Sequence, residues 1–151
     1  MKQVTTGLCI GFLMLFSVNS IAQKTSSGKP FLFTNYPAVI DCTEDQLNSL
    51  FTGGNDLNVN LSLPGNLTLQ GEITNRAIKY NCLQTVSVKL PAFSNILFSV
   101  TKRDDAGKNP VYTAYLLNND YADGYQLKRN RGNTYQLIKI ETAKLLPTCN
   151  Q

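Results

Sequence analysis

The sequence predicts a mainly β protein, an antiparallel β-sandwich or open barrel with one short N-terminal helix. Three observations predict it. Apolar and polar residues alternate with period two along most of the chain beyond residue 56. Turn-forming clusters break these runs at intervals of roughly 8–15 residues, with no helical pattern between them. Only one segment combines a helical period with a cap.

That segment opens at Thr43. Thr43-Glu44-Asp45-Gln46 fits a capping box with acidic residues in the first turn, and Leu47, Leu50 and Phe51 form one apolar stripe. Cys42 and Leu47 sit at the positions of a hydrophobic staple, and Gly53-Gly54 stops the run. The helix is therefore expected over about Glu44–Thr52. Ahead of it, Phe31-Leu32-Phe33 is a first strand or a docking segment.

The remainder reads as strands and turns. Leu57, Val59, Leu61 and Leu63 alternate with Asn58, Asn60 and Ser62, Pro64-Gly65-Asn66 turns the chain, and Leu67, Leu69, Gly71 and Ile73 resume the alternation. Val86, Val88 and Leu90 share one face, as do Ile96, Phe98 and Val100 after Pro91. Asp104 to Pro110 is a turn, Val111 to Leu117 a strand, and Asn118 to Gly124 a loop. Tyr125 to Lys128 and Thr134 to Ile140 flank Asn130-Arg131-Gly132-Asn133 as a hairpin.

The first 22 residues read as an export signal. Lys2 supplies the positive start, Leu8 to Phe16 is unbroken apolar sequence, and Ser20-Ile21-Ala22 places small residues where a signal peptidase reads them. Cleavage is expected between Ala22 and Gln23, delivering the protein to the periplasm or the extracellular space. The apolar stretch is about half the ~20 residues that a spanning helix needs, and no membrane span is expected after its removal. Residues 23–30 are small and polar and read as a flexible leader, and residues 31–151 as a single β-rich domain.

Composition restricts the chemistry. The chain has no His and no Trp, and its 14 Lys and Arg against 10 Asp and Glu give a mild net charge of +4. Without imidazole, Ser-His and Cys-His nucleophile schemes and the usual transition-metal cages are excluded. The positive residues are mostly scattered, unlike the dense stripe of a nucleic-acid binder. No cofactor and no metal are expected. Of the cysteines retained after cleavage, Cys42, Cys82 and Cys149, the pair Cys42–Cys149 is the favoured disulfide, tying the tail to the start of the helix at on the order of 4–5 kcal/mol. Cys82 alternates with Tyr80, Val86 and Val88 and reads as a buried small side chain.

Few motifs carry chemistry. Asp104-Asp105 and Asp120/Asp123 are the carboxylate clusters; a hydrolase reading would use them as an acid/base pair, but both lie in turn sequences where Asp bonds nearby backbone N–H groups. Residues 118–124 are rich in oxygen ligands yet lack the spacing of a calcium loop. Asn60-Leu61-Ser62 and Asn66-Leu67-Thr68 match glycosylation sequons. Lys128, Arg129 and Arg131 lie between Tyr125 and Tyr135 and form the densest basic patch, suited to an anionic surface or to a solvated hairpin tip. With Tyr112, Tyr115 and Tyr121 they define a candidate binding region for a protein or envelope partner, although tyrosines alternating on strands are commonly core.

One resemblance adds an alternative. The apolar strand from Ile96, then Tyr112-Thr113-Ala114-Tyr115-Leu116, Gly124-Tyr125-Gln126-Leu127, Tyr135-Gln136-Leu137-Ile138-Lys139-Ile140 and the closing Leu146-Pro147-Thr148-Cys149 are similar to the β-rich propeptides of secreted zinc metalloproteases. The resemblance implies a propeptide-like inhibitor acting in trans, with Cys149 or an exposed edge strand as its contact. Two departures from that pattern are that no catalytic domain follows and that the chain holds no zinc-binding His motif. If Cys149 is disulfide-bonded it cannot ligate zinc.

The leading expectation is a non-enzymatic exported β-domain that works by contact. Intact-mass analysis of the exported protein is expected to show an N-terminus at Gln23; a product retaining residues 1–22 would remove the export reading.

Overall fold

The computed structural model describes residues 28–53, 56–131 and 134–145. The signal and most of the leader lie outside these residues, as does Cys149.

Among the described residues eight strands and one α-helix follow in order: β1 (Val39–Cys42), α1 (Glu44–Thr52), β2 (Asn58–Leu63), β3 (Leu67–Lys79), β4 (Leu83–Leu90), β5 (Ile96–Arg103), β6 (Val111–Leu117), β7 (Asp123–Arg129) and β8 (Tyr135–Glu141). They form one sheet in the order β1-β8-β7-β6-β5-β4-β3-β2, with every neighbouring pair antiparallel. The sheet curls into a half-barrel. Of the two expected architectures, the open barrel is therefore the one adopted.

The period-two pattern decides which face turns inward. Val86, Val88 and Leu90 of β4, Ile96, Phe98 and Val100 of β5, and Tyr112, Ala114 and Leu116 of β6 are all buried in one core. The intervening Ser87, Ser99, Thr101 and Thr113 lie on the outer face, where Thr85 and Thr101 hydroxyls meet at 3.0 Å.

Two glycines allow the curl. A Cβ on Gly71 would overlap the Lys89 carbonyl and touch Leu90, and a Cβ on Gly124 would stand 2.5 Å from the Leu116 carbonyl. At both places one strand crosses close over the backbone of its neighbour, which only a residue without a side chain permits. A register shift between Ile73 and Asn75 adds a bulge just beyond Gly71.

The helix forms as its sequence directs. The Thr43 hydroxyl accepts from Gln46 N at 3.2 Å, and the Gln46 side chain accepts from Thr43 N at 2.9 Å. Leu47 and Leu50 are buried against the sheet. Gly53 ends the helix at φ −69°, without the left-handed turn that glycine often supplies. Gln46 Nε2 then donates to Ser62 O, and Arg76 Nη1 to Leu50 O, fastening α1 to β2 and β3.

Several elements differ from the sequence reading. β1 was not expected: its four residues pair with β8, so the first and last strands are neighbours. Phe31-Leu32-Phe33 is a docking segment and not a strand. Phe33 is fully buried, in ring contact with Tyr36, Phe93 and Tyr125. The loop expected through Gly124 ends at Ala122, because Asp123 opens β7. Cys82 is only half-buried, since Tyr80 and Asn81, both at φ 55°, make the turn between β3 and β4 and leave Tyr80 87% exposed.

Asp123 is the one buried charged side chain among the described residues. Its two carboxylate oxygens accept from Leu32 N at 2.7 Å and Phe33 N at 3.0 Å. Lys139 Nζ holds the same segment from the other side, donating to Phe33 O at 2.6 Å and Tyr36 O at 2.7 Å. Replacing Asp123 by Ala is expected to lower stability by about 3 kcal/mol, because two buried amides lose a charged acceptor. Gly71→Ala is expected to cost at least ~1–3 kcal/mol through overpacking. Denaturant melts of the two variants check both; unchanged midpoints would contradict them.

Candidate functional site

The tyrosines of the expected binding region do not form one surface. Tyr112, Tyr125 and Tyr135 are core residues, each 2% exposed or less. Tyr125 OH donates to Pro37 O at 2.6 Å, and Tyr135 OH accepts from Tyr112 N at 3.2 Å. Tyr112 OH donates to Asn48 Oδ1, which Lys102 also reaches. Tyr115 lies on the outer face beside Gln126, and Tyr121 lies in the β6–β7 loop with its hydroxyl on Ser94. Lys128, Arg129 and Arg131 are exposed at the β7–β8 tip. Inward-facing tyrosines whose hydroxyls bond to Pro37 O, Asn48 Oδ1 and Pro110 O are structural; of the two outer ones, Tyr115 pairs with Gln126, two residues before Lys128 on the same face, while Tyr121 lies at the opposite end of β7 from the basic tip.

The carboxylates are also separated. Asp104 pairs with Lys102 at 3.5 Å and Asp105 with Arg103 at 3.4 Å at one end of β6. Asp120 is exposed at the other end, about 20 Å away along the strand, where Asp123 is spent on the Leu32 and Phe33 amides. The geometry does not bring a pair of these groups to one cleft.

Cys42 has no disulfide partner among the described residues, and Cys149, its expected partner, lies outside them. The Cys42 side chain points inward from β1 and is 4% exposed, and burial pushes the thiol up to about 11. Burial likewise pushes the Tyr112 hydroxyl up to about 12, reinforced by the Glu44 and Asp104 carboxylates, and the Tyr125 hydroxyl up to about 12, reinforced by Asp123.

A different feature has unspent bonding capacity: the outer edge of β2. Ile73 N donates to Leu57 O at 2.7 Å, which makes Leu57–Ile73 a hydrogen-bonded pair in the β2–β3 register. The alternation of an antiparallel ladder then points the Leu57, Val59, Leu61 and Leu63 backbone groups at β3, and those of Asn58, Asn60 and Ser62 away from it. Asn58 N is taken by Asp56 Oδ1 and Ser62 O by Gln46. Among the described residues the Asn58 carbonyl and both backbone groups of Asn60 have no partner. β1, the other edge, comes within 8 Å of β2 between Cα atoms without pairing to it.

Two clefts flank this edge. On the outer side, one of about 690 Å³ is lined by Asp56, Asn58, Asn60, Gln70, Glu72 and Pro91, among others. On the inner side, one of about 160 Å³ lies between β2 and the end of α1, lined by Leu50, Val59, Leu61 and Ile73 together with Ser49, Asp56, Asn58, Asn60 and Arg76. The strand itself, Asn-Val-Asn-Leu-Ser-Leu, carries no charge, proline or bulge of the kind that usually blunts an edge. The sequence showed the strand but not that it would be terminal in the sheet; the absence of Lys and Pro was the only available signal.

Comparison with known proteins finds no matching family model, no matching curated protein and no matching solved structure.

The raised Cys42 value predicts slow alkylation. At pH 8 the native thiol is expected to react about 100-fold more slowly than an unperturbed one of value 9.0, from thiolate fraction alone, and to reach the normal rate in denaturant. Rapid native labelling at Cys42, followed by mass spectrometry, would contradict its placement. The two raised tyrosines stabilise the fold fully below pH ~10 and lose that contribution as pH climbs toward 12.

Proposed function

We propose that this chain is an exported, non-enzymatic β-domain that binds a protein partner, and that it does so by taking an extended segment of that partner along β2. The observation that carries this reading is the unpaired Asn58 carbonyl and the unpaired N–H and carbonyl of Asn60 between two clefts. An added strand gains affinity from main-chain hydrogen bonds at the edge, and its alternate side chains fall to opposite sides of the sheet, where pockets select them. The free edge is short, because Gln46 and the approach of β1 close its Ser62 end. A contact of three or four residues suits a transient, selective interaction better than a permanent one.

The propeptide-like inhibitor stays as a second reading supported by the same edge, since proteases hold peptides in an extended form. It does not require the thiol of Cys149.

Asn60→Pro isolates the edge. The Asn60 N–H points away from β3, so proline there removes a donor for the partner without removing a ladder bond. Residues 23–151 used as bait in envelope and medium fractions are expected to retain a partner that the Asn60→Pro protein loses, with the two proteins melting alike. Equal capture by both would overturn the edge as the contact. A captured protease that the wild-type protein inhibits would favour the second reading.

A further inference from the structure

Two side chains bound the free part of β2, and their positions set the direction of the strand that fits between them. Asp56 Oδ1 accepts from Asn58 N at 2.9 Å, and Gln46 Nε2 donates to Ser62 O at 3.0 Å. Each stands where a ladder partner would stand. Between these two caps lie four outward groups: the Asn58 carbonyl, the N–H and carbonyl of Asn60, and the Ser62 N–H, which also has no partner among the described residues.

Parallel and antiparallel strands use these groups differently. In a parallel ladder one incoming residue donates to the carbonyl before its opposite number and accepts from the N–H after it. A residue opposite Val59 then takes Asn58 O and Asn60 N. The residue two further on, opposite Leu61, takes Asn60 O and Ser62 N. All four outward groups are used, and neither capped group is called on.

An antiparallel strand meets the caps. Directly opposed residues there exchange both bonds. A residue opposite Asn60 would take both Asn60 groups. The residue opposite Asn58, however, would aim its carbonyl at the Asp56 carboxylate, and the residue opposite Ser62 would aim its N–H at the Gln46 amide. Acceptor would meet acceptor, and donor would meet donor. Parallel pairing is slightly weaker per residue, a smaller loss than two incoming groups left without partners.

Given edge pairing, on which this step rests, we infer that the β2 edge takes a three-residue stretch of another protein running parallel to β2. Its first and third residues supply every bond, so neither is proline. Their side chains lie on the Val59 and Leu61 side of the sheet, and that of the middle residue on the Asn60 side. A second copy of this chain fits poorly. A two-fold that joins two β2 edges into one continuous sheet pairs them antiparallel, and so meets the same conflict at the caps.

A blocked five-residue peptide of alternating Val and Thr tests this, because its sequence favours neither direction. It carries a nitroxide at one end or the other and is added at millimolar concentration to isotope-labelled residues 23–151. Asn58 and Leu63 stand about 17 Å apart along the strand, so their amide signals report the two ends separately. The N-terminal label is expected to broaden Asn58 at least ~3-fold more than Leu63, and the C-terminal label the reverse, with both effects lost in Asn60→Pro. In the double variant Asp56→Ala, Gln46→Glu the caps are gone while the acceptor for Thr43 N is kept, and each label is expected to broaden both ends alike. Melts check that both variants fold. The opposite pattern in the wild-type protein, or a preference that survives removal of the caps, would overturn the assigned direction and leave edge pairing standing. No change at β2 with either peptide, or concentration-dependent dimerisation through β2, would overturn both.

Discussion

The half-barrel depends on Phe33 being held in its end. An aromatic ring fully removed from water contributes roughly 1.5–3 kcal/mol, but the backbone around it must be satisfied too. Asp123 and Lys139 do this from opposite signs. The carboxylate takes the N–H groups of Leu32 and Phe33, and the ammonium takes the carbonyls of Phe33 and Tyr36. Each charge is paid for by backbone dipoles in place of water. Lys139 also lies 5.9 Å from the Tyr125 ring centre, and Tyr125 reaches Pro37 O, so the ring that packs on Phe33 anchors the same segment. The chain entering β1 is thereby fixed before it pairs with β8.

Curvature follows from where the sheet lacks side chains. Gly71 and Gly124 let strands pass over their neighbours' carbonyls, and the bulge beyond Ile73 turns β3 so that its first half pairs with β2 and its second with β4. The sheet closes far enough to surround one core but not far enough to join its edges. Helix α1 spans part of the remaining gap, burying Leu47 and Leu50 while its polar side chains reach Ser62, Lys102 and Tyr112. An open edge is thus a consequence of incomplete closure, and the helix determines how much of it stays open.

That edge differs in kind from the molecule's other exposed features. Ile78 and Tyr80 at the β3–β4 tip, and Leu97 and Tyr115 on the outer face, are apolar surfaces without directed groups. The cleft beside Phe31 has Asp123 and Lys139 in its walls, but both are already bonded to backbone. Only unspent N–H and C=O groups in a line define the shape of what binds them.

Local chemistry was legible in the sequence. The capping box and leucine stripe determined α1, and strict alternation assigned the inward residues of β2 to β5, from Leu61 to Val100. Turn pairs were legible where Gly or Pro marked them, as at Pro64-Gly65-Asn66, and not at Tyr80-Asn81, where two residues without that signal take positive φ. Tertiary structure decided the rest, because these outcomes depend on partners distant in sequence. β1 is four residues long and is a strand only because β8 lies beside it. Asp123 reads as a loop residue until residues 32 and 33, some ninety positions earlier, supply its hydrogen bonds. Tyrosines 112, 125 and 135 read equally as surface or core until the sheet curls over them. Whether β2 ends the sheet or continues it is likewise settled by strand order alone, since a period of two specifies which face a residue occupies but not which strand comes next.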